Sequence, residues 1–250
     1  MTLTVAEVRR RLGHIPTSSK FSSVNNQSKL YKMVSDVLDD ILRLLYNPVS
    51  PDVIKMLKVI INICVDERVS LLISRKIFAD FNFKVFPEMN DTQSKSLALF
   101  VLEKTCHRTL LFEDQTTYTR WFLSTIYEKD NNFKDAILML VAIPLESDHK
   151  LFPSHFKLLI FMRIARLYLE DNNTLQALSY INRASSLQLE TEDMLEFRKD
   201  FIEAANRCIE LLTMPLADHD RITALNNLSV FKKAETMSIT SMSLIFKATT

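Results

Sequence analysis

The side chains able to do chemistry are scattered along this chain. His14, His107, His149, His155 and His219 include no pair four residues apart, the pattern that would set two histidines around a metal on one helix face. Cys106-His107 comes nearest to a site. Adjacent helical residues point about 100° apart, so the two cannot readily share an ion; a buried thiol beside a surface imidazole is the expectation. No serine sits in the Gly-x-Ser-x-Gly turn of a nucleophile elbow, and no two acids stand out as a general acid/base pair over solvated helix faces. Trp121, Phe122 and Tyr127 could form an aromatic cage, but aromatics at helical spacing are expected to pack between helices. The reading is no catalytic residue, no cofactor and no metal. Arg163, Arg166 and Arg183 on polar helix faces are then a candidate working surface, the alternative being a solvated face.

Composition narrows the scaffold that carries these residues. Gly13 is the single glycine in 250 residues. Phosphate-cradling and dinucleotide loops each need at least two, so both are excluded. Sheet proteins rich in tight turns need glycine where φ is positive, and the seven prolines lie between apolar stretches rather than inside them. An all-α fold follows. Cys64, Cys106 and Cys208 show no paired spacing, which fits a reducing compartment rather than a disulfide framework. No run of about 18 apolar residues predicts a membrane span. Residues 1–35 hold six bases and one acid, net +5; the other 215 hold 25 and 29, net −4. Nothing global points to nucleic acid.

One stretch organises the rest. Phe156 to Ala184 reads as two antiparallel helices over a four-residue turn, Glu170-Asp171-Asn172-Asn173. Phe156, Leu159, Ile160, Ile164, Leu167 and Tyr168 form an apolar stripe on the first helix. Ala177, Ile181 and Ala184 follow on the second, small enough to let the helices approach. An upstream copy lies one period of about 40 residues away. At one constant offset, Tyr127 pairs with Tyr168, Ala136 with Ala177, Leu140 with Ile181, Ser124 with Ala165, and Asp130 to Asn132 with Asp171 to Asn173. A small residue, tyrosine three later and alanine nine after that is the tetratricopeptide-like pattern. The expected architecture is a right-handed solenoid of helix hairpins, each needing a neighbour to bury its apolar face.

Along the chain, residues 1–28, with Arg9-Arg10-Arg11 and a Ser/Asn-rich run, read as a disordered basic arm. A transit peptide and an arm gripping an acidic partner are the alternatives. The solenoid is expected over 29–214. Helices are expected over Lys29–Tyr46, Val53–Cys64 and Val69 to near Asp80, followed by a loop from Asn82 to Asn90. Ser96–Cys106, apolar nearly all round, should be buried between repeats. Tyr118–Lys129 and Phe133–Ile143 form the first clear repeat. Beyond Ala184 the rhythm fails. Phe201-Ile202-Glu203-Ala204-Ala205 looks like a second helix, yet Ala204 follows Ala177 by much less than one period, too soon for a full first helix between them. A helix from Asp218 to about Glu235 and a frayed end complete 215–250.

The strings RVSLLISR (Arg68 to Arg75), STIYEK (Ser124 to Lys129), IPLE (Ile143 to Glu146), IARLYLED (Ile164 to Asp171), YINRAS (Tyr180 to Ser185) and FIEAA (Phe201 to Ala205) resemble, in order, the family of subunit four of the constitutive-photomorphogenesis (COP9) signalosome. The resemblance runs from about Pro51 to about Leu225; the paralogous proteasome-lid subunit fits these strings less well. It implies a non-catalytic helical-repeat subunit of the PCI family, in a complex that removes a ubiquitin-like modifier from cullins. Its implied partners are other signalosome subunits and cullin–RING ligase components, in cytoplasm and nucleus, with the zinc protease site on a different subunit. Against the family pattern the chain is short of about one helix before Phe201 and lacks a winged helix, as a splice form or truncated gene model would.

Overall fold

The computed structural model describes residues 4–12, 24–45, 51–67, 69–146, 152–187 and 199. Among them are nine α-helices and no strand: α1 (Val5–Leu12), α2 (Val24–Leu45), α3 (Pro51–Val65), α4 (Leu71–Asp80), α5 (Asp91–Thr105), α6 (Glu113–Lys129), α7 (Phe133–Val141), α8 (Ser154–Glu170) and α9 (Thr174–Ser186). The fold is all-α. The chain divides into two compact units between Thr119 and Arg120, within α6.

In the first unit the helical period places the core. Val34, Val37, Leu38 and Ile41 bury one stripe of α2, and Val53, Met56, Leu57, Ile60, Ile61 and Cys64 bury most of α3. α3 packs against α1, α2, α4 and α5. Burial among these apolar side chains pushes the Cys64 thiol far above its ordinary range, because desolvation disfavours the thiolate. Part of the expected disordered arm is ordered: Val5–Leu12 is helical, with Val8 and Leu12 fully buried. Two apolar side chains one turn apart are enough to dock this short helix on α2 and α3, and Arg11 reaches Asp40 at 3.1 Å. Glu7, held by the guanidiniums of Arg10 and Arg11, is lowered to about 2. α2 begins at Val24, five residues ahead of the expected start.

The expected loop over Asn82–Asn90 is largely helical too. α4 runs on into a wide π turn at Phe81–Val85 and a 3-10 turn at Phe86–Glu88. The wider turn brings Phe81, Asn82, Val85 and Phe86 inward together. Phe78 meets Phe112 edge-on at 5.2 Å. Pro87 sits in the first turn of the 3-10 segment, where its missing N–H has no helical partner to lose. Asn82 is buried but satisfied: its Nδ2 donates to the Gln115 carbonyl at 3.3 Å, and its Oδ1 lies 3.1 Å from the Thr119 hydroxyl. α5 is not buried all round. Leu97, Ala98 and Val101 face inward while Leu99 is 41% exposed, because α3 covers one side only.

The second unit contains the paired hairpins. Asn131 and Asn172 hold φ at 55° and 57°, the left-handed region that asparagine tolerates where glycine is absent. The Asn132 and Asn173 N–H groups donate back to the Tyr127 and Tyr168 carbonyls at 2.8 and 2.7 Å. The Asn131 and Asn172 N–H groups donate to the Glu128 and Leu169 carbonyls, both at 3.0 Å. The next asparagine then caps the following helix, Asn132 Oδ1 accepting from Asp135 N–H and Asn173 Oδ1 from Gln176 N–H. Two side chains thus stop one helix and start the next, and both copies of the hairpin do it the same way. α6 begins at Glu113, five residues before the expected start.

Asn131→Ala and Asn172→Ala should each lose about 1 kcal/mol of stability in urea, since a Cβ without a side-chain hydrogen-bonding group resists the left-handed region. Asn→Gly at either position should lose none of it, and equal losses for both substitutions would refute this account of the turns.

Candidate interaction surface

The repeat-signature residues take packing positions. Ser124, Ala136, Leu140, Ala165, Ala177, Ile181 and Ala184 are buried, as is Tyr127. Ser124 turns its hydroxyl onto the Trp121 carbonyl at 2.6 Å and so behaves as a small residue with no free polar atom. Tyr168 is only half-buried and stacks on Tyr180 at 5.8 Å; burial, with the neighbouring Tyr180 and Asp171 oxygens, raises its phenol. Ala204, Cys208, His14, His149, His219 and the expected helix at Asp218–Glu235 lie outside the described residues. Cys106 is exposed rather than buried, because it begins a 3-10 segment, Cys106–Phe112, that lies on the surface.

Arg163, Arg166 and Arg183 prove to be ties rather than free working groups. Arg163 donates from Nε to Glu128 Oε1 at 2.6 Å and from Nη2 to Thr125 Oγ1 at 2.9 Å, with its guanidinium 5.4 Å from the Trp121 ring. Arg166 pairs with the other oxygen of Glu128. One carboxylate therefore joins α8 to α6 through two arginines a turn apart. At 14% exposure for both Glu128 and Arg163 the pair is shielded enough to matter. Glu170 lies within the same field. Burial first, and then the Glu128 charge, raise its carboxyl, with Arg166 pulling the other way. Arg183 spans α9 and the 142–146 turn, bonding Glu146 at 2.8 Å and lying over Phe161 and Tyr180 at 4.6 and 4.9 Å. With Ile143, Pro144 and Leu145 these side chains wall a cleft of about 240 Å³.

Glu128 is a site residue that sequence reasoning misses. Glu128 lies 35 residues before Arg163, and no local sequence signal joins the two. Trp121 is buried among helices, as an inter-helix packing residue would be. Among the described residues no group of His, Cys, Asp and Glu is placed to hold a metal, and no helix is long and apolar enough to cross a membrane. The large apolar side chains that stay outward include Leu138 and Val141 on α7, Leu175 and Leu178 on α9, and Leu72, Leu110 and Leu111 in the first unit.

The family described as PSMD12/CSN4, N-terminal matches residues 20–213. The chain belongs to that family. It is 36% identical over 221 residues to COP9 signalosome complex subunit 4 of Drosophila melanogaster, covering 83% of this chain and 54% of the fly protein. It is 35% identical over 185 residues to the Dictyostelium discoideum subunit, covering 68% and 46%, and 29% identical over 199 to that of Arabidopsis thaliana, covering 74% and 48%. The chain spans about half the length of the curated relatives it matches. Both copies of the repeated hairpin fall inside the matched region.

Two outcomes test the arginine clasp. Glu128→Ala should cost about 3 kcal/mol, because it strands two guanidiniums in a shielded site, and a loss under about 0.5 kcal/mol, the size of an ordinary surface change, would refute the assignment. Glu170 titrates the other way from a paired acid. Its native carboxyl is raised, so the folded state binds the proton more tightly than the unfolded chain and stability falls as pH rises through the acid range. Glu170→Gln should therefore be more stable than the parent at neutral pH in urea titrations, with the gain shrinking as pH drops towards about 4.

Proposed function

We propose that this chain is a non-catalytic scaffold and recognition subunit of the signalosome that deneddylates cullin–RING ubiquitin ligases, acting through its helical repeats. Its partners are other signalosome subunits and cullin–RING ligase components, in cytoplasm and nucleus. The observation that carries this reading is the match over residues 20–213, together with the likeness to signalosome subunit 4 of fly, slime mould and plant. Arginines committed to acids of the chain itself, and outward leucines on α7 and α9, also support a binding role over a catalytic one.

A second reading of the helical repeats, a free-standing tetratricopeptide-like adaptor that binds a peptide or partner protein, calls for a concave face rich in Asn, Lys and Arg. Nothing in the arginine geometry favours it, since Arg163 and Arg166 both serve Glu128.

Affinity-tagged chain expressed in cells should bring down signalosome subunits or cullin–RING components in amounts near those recovered with a full-length relative. Elution alone, while the longer protein recovers the complex, would remove the subunit role. Purified chain should release no modifier from a neddylated cullin, with or without a metal chelator; chelator-sensitive cleavage would overturn the non-catalytic assignment.

A further inference from the structure

In the first unit, two surface elements meet through arginines that carry uncompensated charge. Arg75 on α4 donates from Nε to the Leu111 carbonyl at 2.8 Å, and Arg108 donates from Nη1 to the Val65 carbonyl at 2.8 Å. Both bonds end on neutral backbone oxygens. Among the described residues neither guanidinium has a carboxylate within ion-pair distance; Arg75 is exposed, and Arg108 is half-buried with its guanidinium 5.8 Å from the Phe112 ring. Their bonds pin the 3-10 segment Cys106–Phe112 against α3 and α4, and the backbone breaks at Arg108, with φ −130° and ψ 33°.

The pinned segment turns leucines outward. Leu110 is 65% exposed and Leu111 37%, while Leu72, one turn before Arg75 on the same face of α4, is 63% exposed. Leu111 and Leu72 thus flank one arginine. Of the acids near in sequence, Glu113 and Asp114 are half-buried at the start of α6, Asp80 serves Tyr31 and Lys84, and Glu103 serves Lys104. Lys76, exposed and 5.1 Å over the Tyr31 ring, adds a further positive charge. Three outward leucines from two elements, with unneutralised guanidiniums between and behind them, present apolar contact and positive charge together.

We propose that Leu72, Leu110 and Leu111 with Arg75 and Arg108 form a docking patch for a short acidic amphipathic helix of a partner protein. The partner's apolar side chains would rest on the leucines, and its Asp or Glu residues would meet the two arginines. This patch uses none of the Glu128 clasp residues, and the inference stands without the signalosome reading. An acidic helix is favoured over a lipid surface because the leucines are three and local, too few for an interfacial helix face, while the arginines point to discrete anions at fixed positions.

The test uses full-length chain with leucine methyl groups labelled for NMR. The probes are two synthetic amphipathic helices with the same leucine face, one flanked by glutamates and the other by lysines, and phosphatidylserine-containing vesicles. The glutamate probe should shift the methyl signals of Leu72, Leu110 and Leu111, with affinity falling as salt rises. Arg75→Glu should weaken binding about tenfold, a loss of about 1.4 kcal/mol. Leu110→Glu, at a largely exposed position that leaves the Arg75 bond in place, should weaken it comparably. Equal binding of the lysine probe, shifts at Leu138 or Leu175 instead, or no saturable shift up to about 1 mM would overturn the proposal. So would vesicle binding at these methyls without glutamate-probe binding, or methyl shifts that follow chain concentration alone.

Discussion

Each hairpin of the second unit closes on one asparagine held where most residues with a side chain resist going. Asn131 and Asn172 take nearly the same positive φ. In both turns the paired asparagines return their N–H groups to carbonyls of the helix just ended, at matching distances. Because the chain reserves its single glycine for position 13, asparagine has to supply the left-handed turn and the next helix cap together. A turn this short leaves no slack, so the residue after the tyrosine, Glu128, enters the interior at a fixed register with α8. The clasp to Arg163 and Arg166 depends on that register, and so does the close approach made at Ala136, Ala165 and Ala177.

The charges then divide by what they meet. Arg163 and Arg166 meet Glu128, Arg183 meets Glu146, and Arg10 and Arg11 meet Glu7. In the first unit Arg75 and Arg108 find carbonyls. Near-neutral composition conceals the difference. A guanidinium on a carbonyl orients backbone without surrendering its field, whereas one on a carboxylate is spent internally.

Period is the most legible property of this sequence. The constant offset between Tyr127 and Tyr168 locates both turns, both small-residue contacts and the helix order, because backbone geometry repeats wherever the same side chains do. Burial is less legible. The spacing from Phe156 onward shows one stripe, yet Leu158, Phe161, Met162 and Leu169 are buried as well, since α7 and α9 both pack on this helix and α6 is tied to it by salt bridge. The run from Ser96 looks enclosed, yet Leu99 is open. Periodicity shows which residues share a face but not how many faces a neighbour covers. The loop expected at Asn82–Asn90 fails for another reason: asparagines and Pro87 outweigh, on reading, a run of phenylalanines that the π turn folds inward. Of the candidate surface, the three arginines are visible but their partners are not, because an ion pair between helices so distant in sequence leaves no local trace.

Burial on every side of α8 has a bearing on how the second unit comes apart. In a stack of hairpins that touch only along one seam, an end repeat can fray while the rest holds. Here the middle helix shares interior with both of its sequence neighbours and is bolted to α6 by a common acid, so none of them can leave without exposing it. Local opening is thereby coupled across α6 to α9, and amide exchange along α8 becomes as slow as their joint unfolding allows.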